Sequence, residues 1–181
     1  MLGLPPSFGV KMPLSSNQLP EEVVGNVLNL LQLRLNSHAG SAERRWAEHM
    51  LGEACRHIEH FCTPLVSIAA DQEWRARGGQ GSLATEGYRK PSRWSAGRNL
   101  HFEHAVPVAD LKKLLLNLKS EPDGPTAADV RRILQMSEIV WITRSEEEQL
   151  RRTLRGQPKQ AGRLRGDWRS IYDQARIPCL P

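Results

Sequence analysis

The chain has 181 residues, 39% of them hydrophobic, which bounds it to one moderate core rather than two independent domains. Its 25 Lys and Arg against 20 Asp and Glu give a net charge of +5, and its 3 cysteines (Cys55, Cys62 and Cys179) are too few and too odd for a disulfide framework. No apolar run approaches the roughly 20 residues that cross a bilayer, and the opening MLGLPPSFGVKMPLSS lacks the apolar core of a signal peptide, so a cytoplasmic protein is expected.

Residues 1–19 are rich in Pro and Ser and read as a mobile N-terminal segment. From Pro20, apolar residues at 23, 24, 27, 28, 31 and 35 recur with a helical period, acidic residues fill the first turn, and Asn36-Ser37 and Gly40 end the run. A second helix follows, with Ser41 as its N-cap, Ala42, Trp46, Met50, Ala54, Ile58 and Phe61 on one stripe, and Pro64 as its stop. Residues 20–69 therefore predict an antiparallel helical hairpin, which could also serve as a homodimer contact. Within it, CRHIEHFC contains the residue types of a zinc site. On a regular helix, however, Cys55 and Cys62 share one face while His57 and His60 lie on another. Four ligands cannot converge there without a break in the helix, so a buried thiol face is the expectation.

The stretch 70–92 carries Gly78, Gly79, Gly81 and Gly87 without a clear period and predicts a long loop. SRWSAGR predicts a short helical turn, and NLHFEHAV reads as a strand. Pro107 opens a helix, EPDG turns the chain, and Thr126 and Asp129 stand at capping-box spacing ahead of VRRIL. EIVWIT is a continuous apolar, β-branched run, hence a short buried strand. SEEEQLRRTLR predicts a helix, 156–166 a basic coil, and DWRSIYDQARI a last short helix. The fold class predicted is α+β, mostly α, with 70–181 as one unit joined to the hairpin in a single globule.

Charge is unevenly placed. Residues 151–176 carry Arg151, Arg152, Arg155, Lys159, Arg163, Arg165, Arg169 and Arg176 against Asp167 and Asp173. Residues 75–98 add Arg75, Arg77, Arg89, Lys90, Arg93 and Arg98 against Glu86, and the segment between the two blocks is net acidic. Two basic blocks around an acidic centre suit a nucleic-acid enzyme with a carboxylate metal site. A solvated arginine-rich surface is the plainer account.

Glu103 and His104 stand together at the end of the first strand, with Pro107 three residues after the histidine. The second strand, 139–143, leads into a helix whose first turn holds Glu146, Glu147 and Glu148. Strand, long connection, strand and helix is a ββα layout. It predicts that 99–105 and 138–143 pair antiparallel and that the helix 145–155 lies across them. A carboxylate beside an imidazole, with further oxygen donors on a helix, is what one-metal phosphodiester hydrolysis needs.

EHAVP resembles the first half of the HNH (ββα-metal) endonuclease motif, and WITRSEEEQL resembles its second half in a form without structural zinc. GDWRSIYDQARI is similar to the tail of restriction-type HNH proteins, so the resemblance covers about residues 89–178. It implies a metal-dependent endonuclease acting on DNA (RNA being the other candidate), in a bacterial or phage defence setting. It puts Glu103 on the first metal ligand, His104 on the general base, and Glu148, or else Glu147, where a helical His ligand usually stands. Arg89, Lys90, Arg93, Arg98, Arg144, Arg151 and Arg155 become phosphate contacts. No His follows His104, so the helical ligand is an oxygen donor, which favours Mg²⁺ or Mn²⁺. Each assignment has a plainer counterpart. Thr143 with Glu146, or Ser145 with Glu148, is a capping box; His101, on the strand face of Glu103, reads as packing; and Trp94 and Trp141 read as core. A catalytically silent nucleic-acid-binding or protein-interaction module on the same scaffold is the alternative function.

Overall fold

The computed structural model describes residues 19–85, 99–118, 124–155 and 168–181. The expectations for the mobile segment 1–18, the SRWSAGR turn, most of EPDG and the basic coil lie outside the described residues, as do Arg89, Lys90, Arg93, Trp94 and Arg98.

The first helix, α1 (Glu21–Asn36), buries Val24, Val27 and Leu31, one stripe at helical spacing. Gly40, with φ of +78°, makes the turn that returns the chain. Ser41 then accepts the amide of Arg44 at 3.2 Å and starts α2 (Ala42–His57). The two helices pack side by side, and Arg34 Nε reaches Glu48 Oε1 across the hairpin at 2.9 Å. The buried stripe of α2 is Ala47, Leu51 and Cys55, continued by Ile58. This corrects the stripe expected from Trp46, Met50 and Ala54: Trp46 is 53% exposed. Two parallel stripes with the same i, i+4 spacing run along this helix. The one with the smaller side chains lets α2 sit against both α1 and the helix that follows the second strand.

Helix α2 tightens into a 3₁₀ turn, Ile58–Phe61, before Pro64. Beyond Pro64, at the end of the expected hairpin unit, the chain adds a two-residue strand, β1 (Leu65–Val66), and a helix, α3 (Ile68–Ala76), which runs into the loop expected over 70–92 and is capped by the Ser67 hydroxyl on the amide of Ala70. The predicted strands are β2 (Leu100–His104) and β3 (Ile139–Thr143). Between them lie α4 (Val108–Leu116), which packs on α2, and α5 (Ala127–Leu134), opened by the Thr126–Asp129 capping box. After β3 come α6 (Arg144–Leu154) and α7 (Trp168–Gln174).

The sheet order is β1-β3-β2, with β1 parallel and β2 antiparallel to β3. Central β3 is paired on both edges and covered on both faces, which is why its sequence is continuously apolar instead of alternating. Val140 and Ile142 face the larger core, made with α1, α2, α4, α5, α6 and α7. Ile139 and Trp141 face a smaller core with Val66, Ala70, Trp74, Leu83, Leu100 and Phe102. Phe102 meets Trp141 edge-on at 4.6 Å. The protein is thus mostly helical α+β, with β2, β3 and α6 in the predicted ββα order and α6 against both strands. No helix among the described residues is long and apolar enough to cross a membrane.

Candidate functional site

Strand period two sends alternate residues of β2 to opposite faces. Leu100 and Phe102 enter the smaller core, so His101 and Glu103 emerge together on the side crossed by α6. His101 Nε2 lies 3.1 Å from Glu103 Oε2 and 3.7 Å from Glu147 Oε1, while its Nδ1 lies 3.1 Å from a guanidinium nitrogen of Arg144. Arginine can only donate, so Nδ1 accepts. The Nε2–H tautomer then satisfies both contacts, donating to Glu103.

Helix α6 aims its residues at this group because Thr143 fixes its start. The Thr143 hydroxyl accepts the Glu146 amide at 3.1 Å, and the Glu146 carboxylate accepts the Thr143 amide at 2.8 Å. Glu146 also accepts the Ser67 hydroxyl at 2.7 Å, so it is a buried structural carboxylate joining β3, α6 and the cap of α3. One residue on, Glu147 turns toward β2. Arg144 and Arg151, at i−3 and i+4, each donate to it at 2.7 Å. Burial pushes the Glu147 carboxyl up, but the Arg144 hydrogen bond and the positive charges around it outweigh burial and hold the group below its ordinary value.

His104 leaves the strand on the other side and meets the 3₁₀ turn, where its Nε2 lies 3.3 Å from Glu59 Oε2. Burial holds its imidazole below the ordinary histidine value, against the charges of Glu59 and Glu103. The group of metal-capable donors that already converges among the described residues is here: His57, Glu59 and His60, with ligand atoms all within 4.8 Å of one another. The cysteines of the same segment stay apart from it. Cys55 is fully buried, Cys62 Sγ donates to the Ile58 carbonyl at 3.4 Å, and burial pushes each thiol up to about 12.

Glu103, His104 and Glu148, expected on one metal, thus take three different partners. Glu103 joins His101, His104 joins Glu59, and Glu148 pairs with Arg152 at 3.2 Å on the exposed side of α6. The cause is geometric: adjacent strand residues diverge, and Glu148 sits about 100° further round the helix than Glu147. Arg144 and Arg151 flank the site with exposed guanidiniums, and Arg155 ends α6. Sequence reasoning placed His101 on the strand face of Glu103 but read it as packing, whereas it meets both Glu103 and Glu147. It passed over Glu59, which is far from His104 in the chain and carried no signal. Comparison of the chain with protein-family models, with curated proteins and with solved structures finds no match.

Proposed function

We propose that the chain is a metal-dependent DNA endonuclease of the ββα-metal kind, with its reaction face on the side of β2 that α6 crosses. The observation that carries this reading is the meeting of His101 and Glu103 on one strand with Glu147, set between Arg144 and Arg151, on the helix. Two carboxylates and an imidazole are an oxygen-rich donor set of the kind that takes Mg²⁺ or Mn²⁺, and Glu103 and Glu147 would hold the ion. When bound, such an ion offsets charge on the phosphate and on the leaving oxygen.

The chain's own groups do the rest. Arg144 and Arg151 are forked donors matched to phosphate oxygens. Turning them to a DNA phosphate releases Glu147 from its two ion pairs. Before DNA binds, His101 holds the Glu103 carboxylate through Nε2–H and Arg144 holds His101 at Nδ1, so strand and helix are positioned together. The base assigned by the HNH resemblance is His104, which lies on the opposite strand face beside Glu59.

A second reading is supported by the same ion pairs. With Glu147 neutralised by two arginines and Glu148 by a third, a module that binds nucleic acid without cutting it also fits. Nicking of supercoiled plasmid separates the two. The enzyme reading expects nicks with Mg²⁺ or Mn²⁺ that stop with chelator and are reduced in Arg144→Ala and Arg151→Ala. Salt-sensitive DNA binding with intact plasmid in every metal would replace it with the silent module.

A further inference from the structure

We propose a second, separate metal site at the end of α2, in which His57, Glu59 and His60 hold a borderline divalent transition ion of the zinc class. The helix break that a regular α-helix would have denied is present. At Ile58–Phe61 the chain winds as a 3₁₀ turn with about three residues per turn, so positions three apart eclipse one another. His57 and His60 accordingly stack, with ring centroids 5.7 Å apart and planes 7° from parallel. The Glu59 carboxylate lies with them, and all three ligand atoms fall within 4.8 Å of one another.

The three residues differ in surroundings in a way that suits a ligand set. The Glu59 side chain is only 10% exposed, and its Oε2 lies 3.3 Å from His104 Nε2. A carboxylate oriented by a neighbouring imidazole has the outer-shell support that metal ligands receive. The His57 side chain, by contrast, is 48% exposed, which leaves a path for the ion and room for water. Its Nε2 approaches Glu53 Oε2 at 3.9 Å, one turn back on α2. Two imidazole nitrogens and one carboxylate oxygen favour Zn²⁺, Ni²⁺ or Cu²⁺ over Mg²⁺ and Ca²⁺, and three protein ligands leave a coordination position for water. Because Glu59 also bonds His104, an ion here ties the end of α2 to the end of β2.

Zinc alone is the probe, titrated into the full chain in competition with a chromogenic chelator. Cobalt then supplies an absorption spectrum that reports the ligand set. One equivalent of Zn²⁺ should bind with micromolar or tighter affinity and resist displacement by excess Mg²⁺. His57→Ala and His60→Ala, both at exposed positions, should each weaken it at least about tenfold and change the cobalt spectrum. His104→Ala should weaken it by about 10- to 100-fold, the range for an outer-shell partner. His49→Ala, an exposed histidine elsewhere on α2, and Glu147→Ala should leave zinc affinity unchanged. The Glu147 arm keeps this site distinct from the proposed reaction face. Failure to bind zinc, equal binding by the His57 and His60 variants, or an equal loss in His49→Ala would each overturn the proposal.

Discussion

Glu146→Ala tests whether the first acidic residue of α6 is structural. The carboxylate is 8% exposed and accepts the Thr143 amide at 2.8 Å, the Thr143 hydroxyl at 3.1 Å and the Ser67 hydroxyl at 2.7 Å. The Thr143 hydroxyl still caps the helix through the residue-146 amide, so the cost lies in the donors left without an acceptor. Leaving the buried Ser67 hydroxyl and the half-buried Thr143 amide without their acceptor costs up to about 1–3 kcal/mol each, although the bonds share one group and do not add fully. A loss of about 3–5 kcal/mol follows, a large share of the stability of a domain this size. Urea unfolding followed by fluorescence reads it directly, because Trp74, Trp141 and Trp168 are buried. The midpoint should fall with an unchanged denaturant slope. Combining Glu146→Ala with Ser67→Ala should cost less than the sum of the two, with about 1–2 kcal/mol of coupling. A loss under about 1 kcal/mol, or strict additivity with Ser67→Ala, would refute the three-donor account.

Gly79→Ala should destabilise the protein by about 1–3 kcal/mol in the same assay, because a Cβ there overlaps the ring of buried Trp74; an unchanged midpoint would contradict that packing. Glu138→Gln should stabilise it near neutral pH. Burial pushes the Glu138 carboxyl above its ordinary value of 4.5, only partly offset by Arg169, so folding penalises its ionised form. The penalty is absent below pH 4.5 and sets in as pH rises through the folded value, so the gain in thermal midpoint over wild type should vanish toward pH 4.5. A gain independent of pH would count against the burial argument.

The fold was legible where signals are local. Alternation in LHFEH, the unbroken apolar run of β3 and the Thr126 and Thr143 capping boxes each mark an element without reference to the rest of the chain. β1 was not legible, since two residues show no period, and α3 was hidden beside Gly78 and Gly79 even though Ser67 caps it. The stripe of α2 was misplaced because Ala47-Leu51-Cys55 and Trp46-Met50-Ala54 share a spacing, and only the neighbouring helices decide between them. For the site, the strand and helix could be read, but the pairing of their residues could not. Adjacency in sequence suggested Glu103 with His104, whereas the pleat pairs Glu103 with His101. Arg144 and Arg151 close on Glu147 while Glu148 takes Arg152, a choice that i, i+3 and i, i+4 spacing alone leaves open.

The most direct test of the proposed reaction face is single-turnover cleavage of a labelled DNA duplex in Mn²⁺, with duplex affinity measured in parallel. Wild-type protein should cut. Glu103→Ala and Glu147→Gln should each slow cutting by roughly 10²-fold or more, the scale of several kcal/mol of lost charge stabilisation, while duplex affinity changes only a few-fold. Glu148→Gln, whose carboxylate faces Arg152 and solvent, should cut at the wild-type rate. Wild-type rates in the Glu103 and Glu147 variants, or a wild-type protein that leaves DNA and RNA intact with Mg²⁺, Mn²⁺, Ni²⁺ and Zn²⁺, would contradict the account.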